Sequence, residues 1–213
     1  MFFICALFLI LPTVIIANED SLLIADKNDR SLISYSVNEC SWLSLSGTTN
    51  VNSFECLSNT GISDNYLLLE VNPQNGRINF TNANIFIETG SFDCKNPLIS
   101  RDMYKALGGD HNSTIEIRLL DAEPVNKIPD VSNGSIIANV VITINGKSKL
   151  KDLIISWQRG DEFEYHFQGT THLTMSDFEI DPPSPALGLI RVNDKININF
   201  NYIVQPGIIS RLE

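Results

Sequence analysis

Alternation of apolar and polar residues is the dominant pattern of this chain, and it predicts β-strands. The clearest case lies near the C-terminus, where Ile196, Ile198, Phe200, Tyr202 and Val204 are each separated by one mostly polar residue. Successive side chains of a strand point to opposite faces, so this segment predicts a strand with one apolar face and one wet face.

Several further segments show the same period of two and predict more strands of this kind. Their apolar positions are Ile115, Ile117 and Leu119; Val140, Ile142 and Ile144; and Phe163, Tyr165 and Phe167. Asn145-Gly146 separates two of the strand-like segments and is a strong signal for a tight hairpin turn.

One short segment predicts a helix instead. Ser100 can cap its start, Met103 and Leu107 share a face, and Gly108-Gly109 end it. A helix this short needs an apolar surface to pack on. The open end of a sheet or barrel is the natural candidate.

The number and spacing of the strands predict an all-β, antiparallel architecture. About eight or more such strands must protect their edges, and closure into a barrel removes the edges altogether. A sandwich of two sheets is the alternative. About eight strands in a barrel leave interior space for side chains or for one slim ligand.

The N-terminal segment is predicted to be a signal peptide. Residues 1–17 form an uncharged apolar run that ends in Ala17 and is followed by Asn18-Glu19-Asp20. The run is shorter than the roughly 20 residues of a spanning helix. We therefore predict cleavage after residue 17, a single domain over 18–213, and a periplasmic or secreted location.

The net charge limits the possible binding partners, and the cysteines predict a disulfide. With 25 acidic and 15 basic residues, the net charge of −10 argues against nucleic acid as a partner. Export exposes Cys40, Cys56 and Cys94 to oxidising conditions, which favours one disulfide and one spare thiol. Cys56 with Cys94 is the preferred pair, and Cys40 with either of them is the alternative.

Four segments, taken together and in this order, resemble the YceI-like family of exported lipid-binding proteins. They are residues 45–56 (LSGTTNVNSFEC), 101–107 (RDMYKAL), 141–149 (VITINGKSK) and 173–178 (LTMSDF). The resemblance extends from about Ser31 to Val204. It departs from the family at Asn112-Ser113, where the family usually has a proline before the strand that follows the helix.

The resemblance implies an eight-stranded lipocalin-like barrel with one short capping helix and an apolar tunnel for a long polyisoprenoid or another lipid. The predicted ligand-contacting residues are the apolar faces of the best strands: Ile115, Ile117, Leu119, Val140, Ile142, Ile144, Phe163, Tyr165, Phe167, Ile198, Phe200 and Tyr202. A solid core built from these residues is the alternative interpretation.

The predicted function is therefore binding, storage or transport of a hydrophobic ligand, without catalysis, cofactor or metal. The chain has no nucleophile elbow, zinc-protease helix or phosphate loop. Transient membrane contact and a homodimer are compatible with this function. The alternative is an exported binding module for protein or glycan, with Trp42 and Trp157 as its contact residues.

Overall fold

A computed structural model describes residues 29–58, 65–111, 114–125, 132–161, 164–184 and 187–212. The predicted signal peptide and Phe163 lie outside these ranges. Within them, no helix combines the length and the apolar composition needed to cross a bilayer.

The described part of the chain is built almost entirely from strands, as the alternating pattern predicts. The strands are β1 (Asp29–Val37), β2 (Trp42–Thr49), β3 (Ser53–Ser58), β4 (Asn65–Val71), β5 (Ile78–Thr81), β6 (Asn84–Glu88), β7 (Thr114–Pro124), β8 (Asn133–Ile144), β9 (Lys147–Arg159), β10 (Tyr165–Thr174) and β11 (Val192–Leu212). Helix α1 (Pro97–Ala106) lies between β6 and β7, and short 3₁₀ turns span Thr89–Ser91 and Met175–Phe178.

Antiparallel ladders join eight of these strands into a ring. The order is β1, β4, β5, β7, β8, β9, β10 and β11, and β11 pairs back with β1. The predicted all-β, antiparallel eight-stranded barrel with one short helix is therefore confirmed, and the sandwich alternative is excluded. Asn145 and Gly146 form the β8–β9 hairpin turn with φ angles of 49° and 73°, as a type I′ turn requires.

The remaining three strands, β2, β3 and β6, continue the ring where the barrel strands β1, β4 and β5 end. On one side, β11 pairs first with β2, ending at Asn201 opposite Trp42, and then with β1, starting at Val204 opposite Val37. At the break between them, the backbone N–H of Ile203 donates to Ser41 Oγ at 3.0 Å. In the same way, β3 pairs with β2 and β4 pairs with β1. Strands β5 and β6 both pair with β7.

Helix α1 begins four residues earlier than the sequence interpretation placed it, so the prediction of Ser100 as its cap was wrong. Asn96 is the N-cap, its side-chain oxygen accepts the Leu98 backbone N–H at 2.9 Å, and Pro97 occupies the first turn. Asn followed by Pro is the stronger start signal, because proline lacks the N–H that a first-turn residue leaves unpaired. Ser100 Oγ instead accepts the backbone N–H of Cys94.

A disulfide and a short backbone bridge attach the segment before α1 to β3. Cys56 of β3 is bonded to Cys94, which is the pair preferred from the sequence, and Cys40 is a free, exposed thiol. Beside the disulfide, Leu57 and Asp93 exchange two backbone hydrogen bonds of 2.9 Å each. These links hold α1 at one end of the barrel.

The disulfide should contribute measurably to stability because it closes a loop with a sequence separation of 38. Loss of loop-closure entropy in the unfolded chain corresponds to about 4 kcal/mol for a loop of this length. The double variant Cys56→Ala/Cys94→Ala should therefore lower the free energy of unfolding by about that amount in urea denaturation.

Cys40→Ala is the matched control, because it also removes a cysteine but breaks no cross-link. It should change the free energy of unfolding by less than about 0.5 kcal/mol. Equal stability of the double variant and this control would contradict a stabilising role for the disulfide.

Candidate ligand cavity

The interior of the barrel contains a cavity of about 350 Å³. This volume lies within the range of small-molecule binding pockets. The barrel interior is therefore hollow, and the alternative of a solid core does not hold for the described part of the chain.

Eleven of the twelve residues predicted to contact a ligand lie along this cavity. They are Ile115, Ile117, Leu119, Val140, Ile142, Ile144, Tyr165, Phe167, Ile198, Phe200 and Tyr202. The twelfth, Phe163, lies outside the described residues. These eleven residues lie on four strands, β7, β8, β10 and β11. Strand β9, between β8 and β10, adds Leu153, Ile155 and Trp157, so that this part of the lining is continuous.

The sequence interpretation missed the lining contributed by the interrupted strands and by the non-strand segments. Ile33, Tyr35 and Val37 of β1 and Leu43 and Leu45 of β2 all face the cavity. Both sets show the same period of two as the strands that were recognised, so this signal was present in the sequence. The turn residues Phe178 and Ile180 also line the cavity, but no periodicity marks them.

One end of the cavity is closed by helix α1 and by the 3₁₀ turn Met175–Phe178. Met103 of α1 and Leu107, which caps its C-terminal end, both face the cavity, as their shared helical face predicts. Phe178 is only 1% exposed, and Leu107 is buried as well. On the outside, Lys147 Nζ and Glu179 Oε2 form an ion pair at 2.6 Å between the β8–β9 hairpin and this turn.

The other end carries a group of aromatic residues, Tyr35, Trp157, Tyr165, Phe167 and Tyr202, which we call the aromatic mouth. All five line the cavity and all are partly exposed, whereas Leu107 and Phe178 at the closed end are buried. The Trp157 and Tyr165 ring centroids are 6.2 Å apart, and those of Tyr165 and Phe167 are 6.5 Å apart. Solvent therefore reaches the cavity more readily from this end.

Within the described ranges the cavity lining includes no charged side chain. Its polar groups are the hydroxyls of three tyrosines and of Thr171, together with the Trp157 indole N–H. Burial raises the pKa of the Tyr202 hydroxyl to about 12 and raises the pKa of Tyr35 as well. Burial also raises the pKa of Tyr165, with a smaller opposing effect of Arg159. The three phenols are therefore neutral at ordinary pH.

Outside the cavity, the described titratable residues are the candidates for a second site. His166 Nε2 lies 2.9 Å from Glu164 Oε1, and His111 is exposed in the turn after α1. In the parts of the chain that the structure describes, no cluster of three or more His, Cys, Asp or Glu side chains has the arrangement of a metal site. Trp157, one of the two tryptophans of the alternative binding-module interpretation, lines the cavity and is partly exposed.

Comparison with known proteins supports the fold assignment. No model of a known protein family matches the chain, and no curated protein matches it. Among solved structures, a polyisoprenoid-binding domain from Saccharophagus degradans, implicated in plant cell wall breakdown, is 10% identical with a TM-score of 0.57. The alignment covers 82% of this chain and 99% of that one.

Two further solved structures are similar to this chain. BcnA from Burkholderia cenocepacia is 13% identical with a TM-score of 0.54, over 81% of this chain and 95% of that one. A YceI protein from Campylobacter jejuni is 14% identical with a TM-score of 0.45, over 69% and 80% of the two chains. The two structures with TM-scores above 0.5 support the lipocalin-like barrel fold that the resemblance to the YceI-like family implies.

The buried Tyr202 hydroxyl should make stability depend on alkaline pH. Because its pKa is raised from 10.0 to about 12, the folded state holds this proton more tightly than the unfolded chain. The resulting stabilisation is complete below pH 10 and is lost as the pH rises toward 12. Its size is roughly 2 to 3 kcal/mol.

Urea denaturation across this pH interval measures the effect. Tyr202→Phe should lose roughly 2 to 3 kcal/mol less stability than the unmodified protein as the pH rises. Tyr66→Phe, which alters a tyrosine that is 64% exposed, should follow the unmodified protein. Parallel curves for all three proteins would show that Tyr202 does not titrate as a buried group.

Proposed function

We propose that this protein binds a long hydrophobic ligand, a polyisoprenoid or another lipid, inside its barrel and stores or transports it outside the cytoplasm. The observation that carries the proposal is the apolar, uncharged cavity of about 350 Å³ within a closed ring of strands. In this proposal the eleven predicted residues that line the cavity contact the ligand, together with Phe163.

The physical basis for binding is burial of hydrocarbon. Each CH₂ group removed from water contributes roughly 0.8 kcal/mol, so a chain of many carbons needs no specific polar contact to bind. A lipid in a bilayer is already removed from water, so its transfer into the barrel is close to neutral in free energy. That balance suits a carrier or a store that exchanges cargo through transient contact with a membrane.

The fold comparison supports this function and a role without catalysis. The Saccharophagus degradans structure with the same fold is a polyisoprenoid-binding domain. The described cavity lining offers hydroxyls but no carboxylate, imidazole or amine. General acid or base catalysis draws on such groups in most enzymes.

Occupation of the cavity by a bulky side chain should compete with the ligand. Ile155 lines the cavity, whereas its neighbour Ile154 on the same strand points outward and is 64% exposed. In Ile155→Trp the indole should displace about two buried CH₂ groups of ligand, which corresponds to roughly 1.6 kcal/mol or about a tenfold loss of affinity.

Ile154→Trp is the matched control, because it introduces the same side chain on the opposite face of the strand. Titration with geranylgeraniol, followed by native mass spectrometry, measures the affinity of both variants, and thermal unfolding checks their folding. Equal affinities of the two folded variants would contradict binding inside the barrel.

Export is the second part of the proposal. It is supported by the leader-like residues 1–17 and by the disulfide between Cys56 and Cys94, since such bonds persist in oxidising compartments. The intact mass of the protein recovered from the periplasm or the medium should correspond to a chain that begins at Asn18. Recovery of the full-length chain in the cytoplasm alone would contradict export.

A further inference from the structure

The aromatic mouth brings three tyrosine hydroxyls to neighbouring strands. Tyr202 lies on β11, and Tyr165 of β10 pairs with Val204, two residues further along β11. On the opposite side of β11, Tyr35 of β1 pairs with Pro206. Val204 and Pro206 face the cavity as well, so the three tyrosines surround the same section of its wall.

None of these three hydroxyls has a hydrogen-bond partner among the described residues. Tyr104, outside the cavity, differs, because its hydroxyl donates to the Gly109 carbonyl oxygen at 2.6 Å. The three hydroxyl oxygens are not among the fully buried polar atoms without a partner, so each keeps some accessible surface. They are thus available to donate to a ligand that brings an oxygen into the mouth.

Ring contacts restrict the orientation of these tyrosines. Tyr165 lies between the rings of Trp157 and Phe167, at centroid distances of 6.2 Å and 6.5 Å. Tyr202 packs against Phe200 at 5.7 Å. Side chains held in this way lose little further freedom on binding, which favours affinity for a head group that fits them.

The mouth is unsuited to an anionic head group. In the described lining no side chain carries a positive charge, and the protein has a net charge of −10. Arg159 is opposite Tyr165 in the β9–β10 ladder, and its charge partly offsets the rise in the pKa of Tyr165, but its side chain does not line the cavity. Transfer of a phosphate from water into such a site requires a paired cation to offset its desolvation.

We infer that the aromatic mouth selects a hydrophobic ligand whose head group is an uncharged oxygen group, such as an alcohol or a carbonyl, in preference to a phosphate. The hydroxyls of Tyr35, Tyr165 and Tyr202 offer donors along the mouth, and one or two of them donate a hydrogen bond to that oxygen while the hydrocarbon chain occupies the rest of the cavity. This inference rests on the proposed function, because it requires the chain to bind inside the barrel.

Three probes with the same twenty-carbon isoprenoid chain test the preference for an uncharged head group. They are geranylgeraniol, geranylgeranyl diphosphate and the corresponding hydrocarbon without a head group. Competitive titration with native mass spectrometry gives the ratios of their affinities. The alcohol should bind about tenfold more tightly than the hydrocarbon, as expected for one to two net hydrogen bonds. The diphosphate should bind about tenfold or more weakly than the alcohol.

The triple variant Tyr35→Phe/Tyr165→Phe/Tyr202→Phe keeps the rings and removes the hydroxyls. Its ratio of alcohol to hydrocarbon affinity should fall to about one, whereas Tyr66→Phe, which changes a tyrosine outside the cavity, should keep the ratio of the unmodified protein. Thermal unfolding establishes that both variants are folded. An unchanged ratio in the folded triple variant would overturn the role of these hydroxyls.

The outcomes separate this inference from the proposed function. If none of the three probes binds, the proposed function fails. If all three bind with equal affinity, or if the diphosphate binds most tightly, the barrel still holds a lipid but the preference for an uncharged head group is wrong.

Discussion

Closure of the ring through β11 is the constraint on which the rest of the structure depends. This strand of 21 residues pairs with β10 on one side and with β2 and then β1 on the other. Without the β11–β1 ladder the inner faces of the strands would be open to water, and the apolar side chains that line the cavity would have no shared interior. Ring closure therefore creates both the fold and the space within it.

The hollow interior conflicts with the close packing that usually stabilises proteins, since empty apolar space forfeits dispersion contacts. The two ends of the barrel differ in how closely they are packed. The closed end is well packed, with Phe178 and Leu107 buried and with the disulfide holding α1 nearby. The middle and the aromatic mouth stay open, and their hydroxyls lack partners. An open cavity and unpartnered hydroxyls weaken the local packing, and such departures from close packing are expected at a binding site.

Local sequence signals predicted the elements of this fold but not all of their boundaries. The alternation in β11, the Asn145-Gly146 turn and the shared face of Met103 and Leu107 each depend on nearby residues, and the structure agrees with each. The start of α1 was misplaced because Ser100 and Asn96 both have capping side chains. Only the Pro97 that follows Asn96 distinguishes them.

Features that depend on contacts between distant segments could not be predicted from local patterns. At the interruption between β1 and β2, Ser41 Oγ accepts the backbone N–H of Ile203, which lies 162 positions further along the chain. Phe178 enters the cavity because its turn closes one end of the barrel, a position that no periodicity specifies. Ring closure itself was inferred from the need to protect strand edges and from the family resemblance.

The central claim is that the barrel holds an apolar molecule in the living cell. Native mass spectrometry of protein freshly purified from its own host, before and after extraction with organic solvent, tests this claim most directly. The account predicts a stoichiometric excess of mass over the polypeptide that the solvent removes and that is recovered as an apolar compound. Repeated recovery of the bare polypeptide, with nothing in the extract, would contradict it.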